Sequence, residues 1–242
     1  GRERPLTLVS APAGYGKSVL ISSWFEQSDW AAAWFSLDRN DSSLRQFLAY
    51  FISAIQEVFP QACTGTLNLI KALELPSISS LASTLVNELN ALDKPVLLAL
   101  DDYHFIDAGS PVNELIQWML EHPAIPLHLV IITRRDPPVS LVTLRTKGQV
   151  NEIRTLDLQF GINEARALLE QAVGRSVKES ALAKLQQEME GWVVGLRLVA
   201  IVLQQFDDPD EFLMGLQGGI QETQEYLVQE VIKKLPAVLR EW

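Results

Sequence analysis

The chain contains little cysteine and little histidine. Its 242 residues include one cysteine, Cys63, and three histidines. A single cysteine excludes an intrachain disulfide framework and a cysteine-rich zinc site, and this usage is typical of a reducing cytoplasm. The sequence also lacks an apolar run of the roughly 18 to 20 residues that a membrane span needs, and it shows no signal peptide. We therefore expect a cytoplasmic protein with no membrane partner.

Basic residues are fewer than acidic ones. The chain has 20 lysines and arginines against 30 aspartates and glutamates, so its net charge is −10. Broad contact with a nucleic-acid backbone is not expected from such a surface. Hydrophobic residues make up 48% of the sequence, which is enough to bury a substantial core. The start at Gly1 without methionine and the end at Trp242 within an amphipathic stretch suggest a piece of a longer protein.

Short apolar segments alternate with longer segments of helical periodicity up to about residue 158. This alternation predicts an α/β fold, a five-stranded parallel sheet with helices on both faces. The predicted strands are 6–10, 31–37, 96–101, 127–133 and 150–158. The predicted helices are 17–27, 43–58, 80–92 and 112–120, and the segment 60–79 is predicted to be a surface excursion with a short helix.

The pattern becomes helical after Phe160. The predicted helices of this part are 163–173, 177–189 and 193–205. A turn at 207–210, which includes Pro209, precedes a last helical region from residue 211. The break at 159–161 is the predicted domain boundary.

The segment APAGYGKS has the order of a phosphate-binding loop, because it follows a predicted buried strand and opens a helix. Gly14 and Gly16 allow backbone N–H groups to turn towards a β-phosphate. The Lys17 amine reaches the β and γ oxygens, and the Ser18 hydroxyl can ligate magnesium. Ala11 replaces the usual first glycine and keeps the loop entrance small. We predict nucleotide contacts for Ala11, Pro12, Ala13, Gly14, Tyr15, Gly16, Lys17, Ser18 and Val19.

Two carboxylates end the apolar segment VLLALDD, which has a Walker B pattern. Asp101 is placed to bind magnesium, and Asp102 is placed to orient or deprotonate an attacking water. A strand that stops at a solvated turn is the alternative, and the presence of Lys17 earlier in the chain disfavours it. The spacing leaves room for an additional strand, 31–37, between the phosphate-loop strand and this segment in sequence, and it indicates the class with an inserted sheet strand. His104 follows, and we interpret it as a local hydrogen-bonding residue rather than as a link from the acidic pair.

Charged residues also follow the predicted strand 127–133. Arg134 is a candidate sensor of the γ-phosphate, since its guanidinium would lose the terminal phosphate as partner after hydrolysis. The alternative is a surface arginine paired with Asp136. Arg135 and Arg145 remain candidates for an arginine finger, which would act on a neighbouring molecule.

These motifs, together with WFSLD at 34–38 and GWVVGLRL at 191–198, resemble the STAND NTPases of the MalT-like regulator family. The resemblance runs over nearly the whole chain. It implies an AAA-like P-loop NTPase core over 1–159, a helical lid over 160–207, and a linker with the start of a truncated winged-helix domain over 208–242. A helical-repeat sensor and a C-terminal LuxR-type DNA-binding domain would follow outside the chain.

The resemblance also assigns residues of the helical part to the base. In related switches a Gly-Leu element of the lid packs near the adenine, which implies base contacts for Gly195 and Leu196. Arg197 stands where that family often has proline. Packing inside a buried helix explains Trp192 and Leu196 nearly as well.

The function implied by the resemblance is an ATP/ADP-binding switch with Mg²⁺ as cofactor. ADP would hold the protein inactive, ATP with an inducer would permit self-association, and slow hydrolysis would reset the switch. DNA would be contacted only through the missing C-terminal domain. One alternative is a catalytic ATPase or phosphotransferase with steady turnover of about 1 per second or faster. A scaffold that has lost nucleotide binding is disfavoured by the presence of Lys17, Ser18, Asp101 and Asp102.

Overall fold

The computed structural model describes residues 4–204 and 208–215. Within these ranges the chain forms two compact units. The first unit contains the residues up to Pro12 together with Lys17–Arg154. The second contains Ala13–Gly16 and the described residues from Thr155 onward. The short segment Ala13–Gly16 therefore packs with the C-terminal helices.

The first unit is built on a five-stranded parallel sheet. Its strands are β1 (Leu6–Ser10), β2 (Ala31–Ser36), β3 (Val96–Asp101), β4 (Leu127–Thr133) and β5 (Val150–Arg154). The spatial order is β2-β3-β4-β1-β5, so β4 is inserted between β1 and β3. Strands β1, β3 and β4 are buried along their whole length, as parallel strands covered on both faces should be. The predicted α/β class with an inserted strand is confirmed. The inserted strand is β4, however, and the predicted additional strand 31–37 forms the edge strand β2.

Helices cover this sheet. They are α1 (Lys17–Glu26), α2 (Leu44–Val58), α3 (Thr64–Ile70), α4 (Ile78–Asn90), α5 (Pro111–Glu121) and α6 (Leu141–Thr146). Short 3-10 helices lie at Arg39–Ser42 and Tyr103–Phe105. The start of α5 shows how the sequence sets a helix boundary, since the Ser110 hydroxyl accepts the Val112 N–H at 3.1 Å and Pro111 occupies the first turn.

A continuous apolar core joins the strands to α2, α4 and α5. Its largest members are almost completely removed from solvent. They include Leu8, Leu98, Phe47, Phe51, Leu85 and Leu115. Burying side chains of this size stabilises the unit by roughly 1.5–3 kcal/mol each. The core thereby fixes the carboxyl ends of β1, β3 and β4 relative to one another.

The predicted strand 150–158 is wrong in its second half. β5 ends at Arg154, and a short helix, α7 (Thr155–Leu158), follows. The reason is the partner strand, because β5 is an edge strand that pairs only with β1, in a register running from Leu6 with Val150 to Ser10 with Arg154. Beyond Ser10, where β1 ends, β5 has no partner strand with which to form hydrogen bonds. Helix α6 was not predicted, because it is short and lies between a proline pair and Gly148.

The second unit is helical. After α7 it contains α8 (Ile162–Val173), α9 (Glu179–Met189), α10 (Val193–Leu203) and α11 (Pro209–Gly215). Helix α8 ends at Gly174, whose φ of 70° is the left-handed conformation of a glycine C-cap. Helix α10 packs on α8, and α11 packs on α9. The predicted winged-helix start at 208–242 lies largely outside the described residues, and the predicted boundary at 159/160 stays a prediction.

The helices in the part of the chain that the structure describes are all too short or too polar to cross a membrane.

Candidate functional site

Lys17 opens α1 at the end of the phosphate loop and is buried, with 8% of its surface exposed. Its Nζ donates a hydrogen bond to the Pro12 carbonyl oxygen at 2.8 Å, so the side chain folds back along the loop. Burial and the charge of Arg134 lower the pKa of Lys17, whereas Asp102 and Asp101 raise it. A buried ammonium group whose hydrogen-bond partner is a neutral carbonyl is suited to an anionic ligand.

Asp101 ends β3 at the edge of the sheet where β1 leads into the loop. Its side chain is hydrogen-bonded to Ser18, and its Oδ1 accepts the Asp102 N–H at 2.8 Å. Burial raises the pKa of Asp101, and these two hydrogen bonds oppose the increase. The structure therefore brings Ser18 and Asp101 together as predicted. A hydroxyl and a carboxylate are the oxygen ligands that Mg²⁺ takes in phosphate sites, so this pair fits the metal.

Asp102 has an unusual backbone conformation. Its φ of 56° and ψ of 35° lie in the left-handed region, which residues with a Cβ seldom occupy. The Asp102 side chain is 44% exposed, unlike that of its neighbour Asp101. Such conformations cost about 1–3 kcal/mol and concentrate at functional sites. The turn directs consecutive carboxylates into different surroundings, one buried beside Ser18 and one open to solvent.

His104 contacts this second carboxylate. Its Nδ1 lies 3.6 Å from Asp102 Oδ1 and has no hydrogen-bond partner among the described residues. Burial lowers the pKa of His104, the nearby Arg134 lowers it further, and the Asp102 carboxylate opposes this decrease. The sequence favoured a local role for His104. The structure places the His104 ring beside Asp102, and the role of His104 stays a prediction.

Arg134 follows β4 and is exposed. The Arg134 charge lowers the pKa of both Lys17 and His104. The guanidinium therefore lies at the same edge of the sheet as the two carboxylates. The alternative pairing with Asp136 is not formed within the described residues, because Asp136 pairs with Arg154 and Arg145. A cavity of about 620 Å³ adjoins this group. Its lining residues are Arg39, His104, Phe105, Asp107, Arg134 and Arg135.

The loop tip, Ala13–Gly16, belongs to the second unit. Gly14 and Gly16 have φ values of 83° and 74°, which explains why glycine is needed at both positions. Tyr15 is buried and hydrogen-bonded to Gln159, and burial raises the pKa of its hydroxyl. The Ala13 carbonyl accepts a hydrogen bond from the Trp192 indole.

This last contact involves Trp192, which the sequence analysis did not assign to the phosphate loop. The Trp192 Nε1–H group donates to the Ala13 carbonyl at 3.0 Å, and the Val194 N–H donates to the Gly14 carbonyl at 3.1 Å. The signal in the sequence is the motif GWVVGL, whose apolar residues the packing of α10 also explains. A tryptophan is large enough to fill a core position and also carries a donor that needs a partner.

The remaining predicted contacts differ in their exposure to solvent. Ala11 is buried, and its N–H donates to the Thr133 carbonyl at 3.3 Å. Val19 is 66% exposed on α1. Gly195 and Leu196 are buried in α10, and Gly195 lies against the Trp192 ring. Their predicted contact with a base stays a prediction.

Comparison with known proteins identifies the family. No family model matches the chain. The HTH-type transcriptional regulator MalT of Yersinia pestis (strain Pestoides F) is 32% identical over 238 residues, which are 97% of this chain and 26% of that protein. MalT of Yersinia enterocolitica (serotype O:8 / biotype 1B) is 30% identical over the same length. The chain thus spans about a quarter of the length of the curated relatives it matches.

A solved structure supports the same assignment at the level of fold. The Walker-type ATPase of Pyrococcus abyssi superposes with a TM-score of 0.52 at 12% identity, over 98% of this chain and 71% of that one. This likeness shows the fold alone. Within this chain, the strand order places β4 between β1 and β3, the loop after β1 leads into Lys17, and β3 ends in Asp101. The chain is a MalT-like P-loop NTPase domain.

Proposed function

We propose that this domain binds ATP or ADP with Mg²⁺ and serves as the nucleotide-dependent switch of a transcriptional regulator. The observation that carries the proposal is the burial of Lys17 at the edge of the sheet where Ser18 and Asp101 meet. An ammonium group held in this way, at the start of a helix, provides positive charge and a helix dipole to phosphate groups. Lysine is rarely buried without a partner, so hydrophobic packing does not explain the burial of Lys17.

Each part of the site has a separate task in the proposal. The loop from Ala11 to Val19 surrounds the phosphates, with Lys17 on the β and γ oxygens. Ser18 and Asp101 would hold Mg²⁺, which supplies neutralisation of the phosphate charge. Gly195 and Leu196 remain the proposed contacts of the base.

Hydrolysis is proposed to depend on the exposed carboxylate. Asp102 would orient or deprotonate the attacking water, because it is open to solvent whereas Asp101 is engaged with Ser18. Arg134 would contact the γ-phosphate and lose that partner in the ADP state. We expect slow hydrolysis, since a switch needs the ATP state to last.

The regulatory part of the proposal comes from the relatives. The MalT proteins are named as HTH-type transcriptional regulators, and this chain matches about a quarter of their length. We propose that DNA is contacted by a different domain of the parent protein and that the ATP form of the parent protein self-associates. Such coupling requires ATP and ADP to bind the two states with different affinity.

Thermal denaturation with and without nucleotide tests the proposal. ATP and ADP with Mg²⁺ should raise the melting temperature, and Lys17→Ala should abolish the increase. Lys71→Ala is the matched control, because Lys71 is an exposed lysine of the same unit. An equal increase in Lys17→Ala would contradict the assigned phosphate contact. Turnover of about 1 per second or faster would show a catalytic ATPase in place of a switch.

A further inference from the structure

The tip of the phosphate loop is held by two hydrogen bonds within the second unit. The Ala13 carbonyl accepts from the Trp192 indole, and the next carbonyl, that of Gly14, accepts from the Val194 N–H. These two acceptors belong to successive peptide groups. In a planar trans peptide the C=O points opposite to the N–H of the following residue. Holding both carbonyls towards the start of α10 therefore turns the N–H groups of Gly14 and Tyr15 away from it.

Trp192 also fills the space that a side chain on the loop would need. A Cβ added at Gly14 would lie 2.3 Å from Trp192 Nε1, and one added at Gly195 would lie 2.3 Å from Trp192 Cε3. The indole thus lies against a glycine on each side. Gly16 differs, because a Cβ added there meets nothing within 4 Å. The close contact is therefore specific to Gly14 and is not a general property of the loop.

The ring itself is fixed by the chain around it. Trp192 is 6% exposed, its N–H donates to the Met189 carbonyl at 2.8 Å, and its carbonyl accepts the Leu196 N–H at 3.0 Å. The preceding residue, Gly191, has a φ of 69° and accepts the Phe160 N–H at 3.0 Å. A donor anchored in this way can impose an orientation on a loop that contains two glycines.

We propose that Trp192 is a positioning residue for nucleotide binding, which orients the N–H groups of the loop tip for a phosphate before any ligand arrives. The inference rests on the proposed function, since it assigns the loop tip to a nucleotide. Pre-orientation lowers the conformational cost of binding. By linkage, a nucleotide that needs this loop conformation stabilises the contact between the loop tip and α10 to the same extent.

The variant Trp192→Phe tests the proposal, because it keeps an aromatic ring and removes the N–H donor. The dissociation constant for ADP should rise roughly three- to tenfold, as expected for the loss of one hydrogen bond. Hydrogen–deuterium exchange in the peptide that covers residues 11–18 should also become faster in the nucleotide-free protein. Trp34→Phe is the matched control, because the Trp34 indole donates to Ser36 Oγ at 3.2 Å, away from the loop.

The outcomes separate the two proposals. If wild-type protein binds ADP and Trp192→Phe leaves both affinity and exchange unchanged, the positioning role is overturned and the proposed function stands. If wild-type protein fails to bind ADP or ATP, the proposed function falls, and with it the role of Trp192 in nucleotide binding. Should Trp192→Phe fail to fold, benzothienylalanine incorporated at position 192 keeps the ring shape without the N–H donor and gives the same comparison.

Discussion

His104 Nδ1 lies 3.6 Å from Asp102 Oδ1, at the solvent-exposed member of the carboxylate pair. Burial and Arg134 lower the pKa of His104, which favours the uncharged imidazole, whereas Asp102 raises it. An uncharged ring can limit the rotamers of the carboxylate without neutralising it. His104 is therefore placed to orient Asp102 in the proposed reaction.

We predict that His104→Ala slows ATP hydrolysis by roughly two- to tenfold, because Asp102 loses the ring that lies 3.6 Å from its Oδ1 and limits its rotamers. The dissociation constant for ATP should stay within about a factor of two of the wild-type value. Single-turnover hydrolysis and equilibrium titration measure the two quantities. His122→Ala, a change to an exposed histidine at the end of α5, is the control. Equal hydrolysis rates in both variants would remove His104 from this role.

Asp102→Asn should retain ATP binding and lose most hydrolysis. The amide keeps the size of the side chain but cannot accept a proton, so we expect a decrease of roughly a hundredfold or more. Phosphate release under single-turnover conditions is the appropriate measurement. Hydrolysis at the wild-type rate would show that the water is activated by another group.

Arg134→Ala should reduce the difference between the dissociation constants for ATP and ADP. A guanidinium that contacts only the γ-phosphate contributes to ATP affinity and not to ADP affinity. The ratio of the two dissociation constants, measured by calorimetry, should therefore move towards 1. Arg135→Ala is a neighbouring control, because Arg135 donates to the His104 carbonyl at 3.3 Å. An unchanged ratio in Arg134→Ala would eliminate Arg134 as the sensor.

The ion pairs of Glu152 in β5 with Arg145 and Arg154 predict that the stability of the fold depends on pH. Arg145 and Arg154 hydrogen-bond to Glu152 and lower the pKa of its carboxyl from 4.5 to about 2. A lowered folded-state pKa means that this stability is present above pH 4.5 and is lost as the pH falls towards 2.

Glu152→Gln should therefore reduce the free energy of unfolding at neutral pH by up to about 1 kcal/mol. The difference from wild type should shrink between pH 4.5 and 2, because the wild-type carboxyl then becomes protonated. Urea denaturation at several pH values measures this difference. A difference that does not depend on pH would show that the loss comes from packing and not from charge.

Local patterns were sufficient to predict most of the fold. Strands β1, β3 and β4 are apolar along their length and end in polar residues, so their bounds could be predicted from the sequence. The end of β5 could not, because it is set by the length of its partner β1. The pairing of Ser18 with Asp101 followed from two short motifs at the same edge of the sheet.

Two contacts near the candidate site could not be predicted from the sequence. Trp192 and Ala13 are joined by a side-chain donor and a backbone carbonyl, and a backbone carbonyl leaves no residue-type signal. The proposed role of His104 depends on the left-handed conformation of Asp102. Glycine usually marks this conformation in a sequence, and here the position is occupied by aspartate. The first contact joins residues 179 positions apart, and the second depends on a backbone conformation that aspartate seldom adopts.

A crystal structure of the chain with ADP and Mg²⁺ tests the assigned phosphate site most directly. We predict the β-phosphate within hydrogen-bond distance of Lys17 Nζ and the N–H groups of the loop tip, with the metal at Ser18. Density for the nucleotide at any other place, with Lys17 still bonded only to the Pro12 carbonyl, would contradict this assignment.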